Sequence, residues 1–147
     1  MRRLAIAGLI MTLWGGAAAA EPIRVDVEKN ANCGCCEAWI DHLEQNGFEV
    51  AARDLDSEAL YQSKLDKGLT TDLFSCHTGT VDGYVIEGHV PATDIERLLL
   101  ERPHAIGLAV PEMPLGSPGM DFGDRKEPYD VLLVRRDGTT EVFQSYD

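Results

Sequence analysis

The chain has 147 residues, with 25 acidic against 13 basic side chains and a formal net charge of −12. So acidic a surface repels nucleic acid and anionic lipid and excludes both as partners, while it tolerates cations. Four cysteines could form two disulfides in an oxidising compartment, but three of them crowd into the stretch NCGCC, so a disulfide framework would waste most of these sulfurs.

The chain opens MRRLAIAGLIMTLWGGAAAAEP. Arg2 and Arg3 precede an apolar run from Leu4 to Trp14, and a small-residue site follows, so residues 1–20 read as a secretory signal peptide cut after Ala20. The run is short for a span of roughly 20 residues and no stop-transfer pattern follows, so no stable membrane anchor is expected. No cysteine stands near the cleavage point, which argues against a lipoprotein. Residues 21–147 then form a single domain, exported to the periplasm or beyond, with a formal charge of −14 once the two arginines are gone.

PIRVDVEK alternates Ile23, Val25 and Val27 with polar residues, as a strand does. Cys33, Gly34, Cys35 and Cys36 follow at once. Cys36, Trp39, Ile40 and Leu43 recur at helical spacing and give one apolar face, with Gly47 as the stop. FEVAARDL reads as a second strand, and Ser57 as the cap of a weaker helix ending near Lys67–Gly68. SCHTGTV and GYVIEGHV read as two strands turning at Asp82-Gly83. Pro91 suits the first position of a helix whose apolar face holds Ile95, Leu98 and Leu99. Arg102 to Pro128 lacks periodicity, is rich in proline and glycine, and reads as one long functional loop. YDVLLVRRDGTTEVFQSY reads as a hairpin around Asp137-Gly138. The fold class expected from this order is α/β: a thioredoxin-like mixed sheet flanked by helices, with an extra C-terminal β-hairpin.

Cys33 and Cys36 make a C-x-x-C, the dithiol spacing of thioredoxin-like redox proteins, at the step from first strand to first helix. A disulfide across so short a loop staples little, because cross-links stabilise by closing longer ones. A helix start favours thiolate through its dipole and free N–H groups. The fold usually carries a cis-proline just before its third strand; this chain has FSCHT there, so Cys76 and His77 are aimed at the dithiol instead. His89 lies at a strand end, and Met113 and Met120 hang from the long loop. Thiolate, thioether and imidazole form a soft set that selects Cu(I), and zinc to a lesser degree. Three clustered thiols can bridge more than one Cu(I), which gives Cys35 a role that a redox pair would not. Each residue also has a plainer reading: Cys36 as core, His89 as a backbone-bonded strand end, and the methionines as gap-fillers. His42 lies off the apolar helix face and reads as solvated; His104 has no clustered partner.

NCGCC, SCHT, GYVIEGHVP, GLAVPEMPLGSPGM and PYDVLL, in this order from about Ile23 to Tyr146, resemble the CopG-type periplasmic copper-resistance proteins, long catalogued as a domain of unknown function. The resemblance implies a thioredoxin-like fold, a periplasmic address and a Cu(I) site, with a multinuclear copper cluster and interconversion of Cu(I) and Cu(II). It places Cys33, Cys35 and Cys36 at the metal with Cys76 beside them, and matches His77, His89, Met113 and Met120 to recurring motif positions. Expected partners are copper ions and other periplasmic copper-handling proteins. The alternatives are a thiol–disulfide oxidoreductase using Cys33 and Cys36, and a zinc-stabilised structural domain.

Overall fold

The computed structural model describes residues 21–147; the expected signal peptide, residues 1–20, lies outside the described residues. Seven strands form one mixed sheet in the order β2-β1-β3-β4-β5-β6-β7. Its first half is the thioredoxin-like arrangement. Strand β1 (Arg24–Lys29) leads into helix α1 (Gly34–Gln45) and returns as β2 (Glu49–Asp54), parallel to β1. Helix α2 (Ser57–Asp66) and a 3-10 turn (Thr71–Leu73) lead to β3 (His77–Val81), antiparallel to β1. Asp82 and Gly83, both at positive φ, close the tight turn to β4 (Tyr84–Glu87), as the sequence predicts. Helix α3 (Ala92–Glu101) follows.

The periodicity of α1 is realised: Cys36, Trp39, Ile40 and Leu43 are its buried residues. Trp39, Ile40 and Leu43 pack with Ile95 and Leu98 of α3 against Val25, Val27, Ile86, Leu108 and Leu133 on one sheet face. The opposite face carries Leu69, Leu73, Val85, Ala109 and Val134. Alternation along each strand therefore feeds two cores, and the sheet lies between helical layers.

Three local expectations are corrected. Asp56, not Ser57, caps α2, its Oδ1 accepting the Ala59 N–H at 2.8 Å; the longer carboxylate reaches the free amide and Ser57 begins the helix. Pro91 is the cap of α3 rather than its first residue. His42 is not solvated: its Nε2 accepts the Ala92 N–H at 3.1 Å, so one helix caps the next, and burial lowers its pKa.

The largest correction falls in the segment read as one loop. Ala105–Ala109 is a strand, β5, parallel to β4 and antiparallel to β6 (Tyr129–Arg135). It is paired on both edges and covered on both faces, so it carries a short apolar run without the alternation that marks a half-exposed strand. Gly107 lies so close to the Val85 carbonyl that a Cβ there would stand 1.7 Å from it. The C-terminal hairpin of β6 and β7 (Thr140–Tyr146) is present as expected, and β5 joins it to the sheet. The loop proper is residues 110–128.

Candidate metal centre

The end of β1 delivers the chain to the start of α1, with Cys33 as the cap residue and Cys35 and Cys36 in the first turn. Cys33 and Cys36 are joined as a disulfide, while Cys35 and Cys76 are free and half-buried. Cys35 Sγ lies 3.6 Å from both Cys33 Sγ and Cys76 Sγ. Cys36, wholly buried, reaches the Cys76 carbonyl oxygen at 3.8 Å. The four sulfurs all lie within 4.8 Å of one another. Cys36 is thus both a core residue and part of the cluster. No cis peptide occurs among the described residues, and Cys76 stands against the dithiol from the residue before β3.

A second group shares Cys76. Its Sγ lies 3.3 Å from His77 Nδ1 and 3.2 Å from His89 Nε2, and the three donor atoms are also within 4.8 Å of one another. His89 Nδ1 donates to the Pro118 carbonyl at 2.8 Å. That bond fixes the tautomer and leaves the Nε2 lone pair facing Cys76. His77 is wholly buried, its ring 4.3 Å from Trp39 and edge-on to His89 at 4.9 Å. His77 Nε2 has no hydrogen-bond partner. The nitrogen that faces the Cys76 sulfur is the other one, Nδ1, and a dry, neutral imidazole can offer that lone pair to a metal.

Burial sets the protonation of the group. It pushes the Cys76 thiol up to about 12, with Cys35 adding to the effect. It holds His77 well below the ordinary histidine value, with His89 and Lys64 acting in the same direction, and it lowers His89. At neutral pH the group is therefore a protonated thiol between two neutral imidazoles. A metal bound there displaces the thiol proton and needs none from the rings.

The loop of residues 110–128 folds over this centre at Pro118–Gly119–Met120. Gly119 sits at φ +84, and a Cβ on it would meet the Cys35 carbonyl at 2.7 Å and the Trp39 amide nitrogen at 2.8 Å. Backbone therefore lies directly on the first turns of α1, which only glycine permits. The two methionines separate. Met120 is 8% exposed yet belongs to neither core cluster. Met113 is 47% exposed and lines an open groove of about 430 Å³ with Pro111, Pro114 and Tyr129.

Sequence reasoning missed the polar groups behind the centre. Lys29 is buried at the end of β1 and bridges Glu37 at 2.6 Å and Asp54 at 2.7 Å. Lys64 and Glu87 form a buried ion pair at 2.5 Å. Glu87 did leave a signal: a carboxylate in YVIE, a strand otherwise apolar at every position.

A family model described as "Protein of unknown function, DUF411" matches residues 73–120, the span holding Cys76, His77, His89, Met113 and Met120. No curated protein matches the sequence significantly. Form 2 of the copper resistance protein CopG, a solved structure, is 46% identical, with a TM-score of 0.80 over 86% of this chain and all of that one. The chain belongs to the CopG copper-resistance family. Form 1 of the same protein is 47% identical, with a TM-score of 0.79 over 86% of this chain and 98% of that one. Membership agrees with the α/β class, the mixed sheet and the C-terminal hairpin expected from the sequence. For a CopG-family chain the donor set is chemically apt: sulfur and neutral imidazole favour soft ions, copper foremost. Among the described residues no helix is long and apolar enough to cross a membrane.

Proposed function

We propose that residues 21–147, released from a signal peptide of residues 1–20, act in the periplasm as a copper-resistance protein that holds Cu(I) in a multinuclear thiolate cluster. The observation that carries this reading is the double use of Cys76. One sulfur belongs to a four-sulfur group, which becomes four thiols once the Cys33–Cys36 disulfide is reduced, and to a thiol–imidazole group at once. A bridging thiolate between two such groups is the arrangement that lets more than one Cu(I) share ligands. The ligands in this reading are Cys33, Cys35, Cys36, Cys76, His77 and His89, with Met120 under the loop and Met113 at the groove supplying neutral thioethers. Other periplasmic copper-handling proteins are the donors or recipients.

Cys33 and Cys36 bind copper only as thiolates, so their disulfide and the full cluster are alternatives. The same pair can couple to the copper valence. Two Cu(II) accept one electron each, two thiols become the Cys33–Cys36 disulfide, and two protons leave. In this way the site interconverts Cu(II) and Cu(I). The deciding experiment is Cu(I) titration of the reduced protein, without oxygen, against a competing chelator. More than one Cu(I) per chain, mostly lost in Cys36→Ser, is expected. A ratio of one or less, or no effect of Cys36→Ser, refutes the cluster.

The Cys33–Cys36 disulfide itself favours a second reading, thiol–disulfide exchange. Insulin reduction separates the two. The copper reading expects little activity, since Cys76 occupies the place of the peptide-positioning proline; turnover equal to thioredoxin and indifferent to copper favours exchange.

A further inference from the structure

We propose that Glu87, held by Lys64, is a positioning residue for the Cys76–His77–His89 group: it touches no donor atom of that group but sets where all three stand. The inference rests on the copper reading above and adds to it the part of the protein that builds the imidazole side of the site.

The argument begins with a cost. Glu87 and Lys64 are both removed from water, and an ion pair in such a place commonly adds less stability than apolar residues of the same volume would. A local role for the carboxylate is visible in its partners. Glu87 Oε1 accepts the Lys64 ammonium at 2.5 Å and the backbone N–H of Ser75 at 2.7 Å. Glu87 Oε2 accepts the Thr78 hydroxyl at 2.6 Å, and that hydroxyl accepts from Lys64 Nζ at 2.8 Å. Ser75 and Thr78 bracket Cys76 and His77. One carboxylate therefore ties down both ends of the shortest segment that contains a thiol and an imidazole of the site.

The same residue is tied to the third member through its backbone. Glu87 is the last residue of β4, and His89 follows two positions later. Between them the Gly88 N–H donates to the His77 carbonyl at 3.1 Å, and the Val110 N–H donates to the Glu87 carbonyl at 2.9 Å. Glu87 thus joins the strand that leads to His89 to the segment that carries Cys76 and His77. Lys64, projecting from α2, anchors that joint to an element outside the site. Thr78 and Glu87 are direct neighbours across β3 and β4, so the clamp is built into the strand register. Groups that orient metal ligands without touching the metal commonly change affinity by about 10–100-fold when removed.

The test uses the double variant Lys64→Met/Glu87→Met in the full mature chain. Removing both charges together leaves no unpaired ion in the core, so the fold is expected to survive while the clamp is lost. Three readouts are taken. The first is the thermal midpoint of the reduced apo protein, expected near wild type. The second is Cu(I) binding, followed by chelator competition and by the imidazole scattering in the copper X-ray absorption spectrum. Copper on the thiols should persist, the imidazole contribution should fall, and the weakest-bound copper should loosen by about tenfold or more. The third needs no metal: the alkylation rate of Cys76 relative to Cys35 in reduced apo protein, expected to rise severalfold as the Ser75–Thr78 segment loosens. If the double variant does not fold, Glu87→Gln, which keeps the shape and one carbonyl acceptor, takes its place with the same expected directions. Unchanged imidazole scattering, copper affinity and alkylation ratio in a folded variant overturn the inference. If wild type shows no copper–imidazole contact, the copper reading of this group fails, and the alkylation ratio alone then decides whether Glu87 positions Cys76.

Discussion

Replacing Gly119 by alanine tests whether the loop over the cysteines is a fitted cover. Gly119 lies at φ +84, where an alanine pays roughly 1–2 kcal/mol of backbone strain. Its Cβ would also stand 2.7 Å from the Cys35 carbonyl, 2.8 Å from the Trp39 amide nitrogen and 3.2 Å from Trp39 Cα. All three atoms are helix backbone and cannot rotate away, so the loop must lift. Lifting breaks the hydrogen bond from His89 to the Pro118 carbonyl, worth about 1 kcal/mol. It also exposes Met120, whose burial is worth about 1.5–3 kcal/mol. The loss is bounded by what the cover contributes, and we expect about 2–4 kcal/mol in all. The structure supplies its own control. Gly123 has φ +75 with open space around it, so Gly123→Ala pays the backbone strain alone, about 1–2 kcal/mol. Denaturant unfolding of the reduced apo proteins measures the difference, and transfer of Cu(I) to a chelator measures the gate. Gly119→Ala should be the less stable of the two and should release copper faster. Equal stability and equal release in the two variants would refute a close-packed cover.

Because the Cys76 thiol is pushed up to about 12 by burial, copper must displace its proton throughout the working range. Apparent Cu(I) affinity should rise about tenfold per pH unit for each such proton, as chelator competition between pH 6 and 8 will report. The apo protein should lose stability as pH falls below about 6.5, where the unfolded chain protonates His77 and His89 while the fold keeps both neutral. Above that value both rings are neutral in either state and the pH effect vanishes; a flat thermal midpoint from pH 7 to 5 would contradict it. Met113→Leu/Met120→Leu should keep stability nearly level, at a cost under about 1.5 kcal/mol, while Cu(I) affinity or transfer rate falls. Binding and release equal to wild type would make the methionines packing residues.

What the sequence by itself determined is what depends on near neighbours. The spacing of Cys36, Trp39, Ile40 and Leu43 sets the buried face of α1, because side chains three and four apart share one side of a helix. Asp82-Gly83 and Asp137-Gly138 mark turns for a similarly local reason. The clustering of Cys33, Cys35 and Cys36, with Cys76-His77 at the start of a later strand, points to soft-metal chemistry through residue type alone. Tertiary structure decided the rest. Strand β5 was illegible because a strand covered on both faces loses the alternation by which strands are read. His42 looked solvated because nothing near it in the chain reveals that it caps α3. That one sulfur, Cys76, belongs to two donor groups follows only from the register of β1, β3 and β4. The Lys64–Glu87 clamp spans 23 positions of chain, and Gly119 reaches Cys35 and Trp39 from a loop without periodicity. Such contacts leave no spacing in the sequence, because they form only when separate elements are brought together and excluded from water.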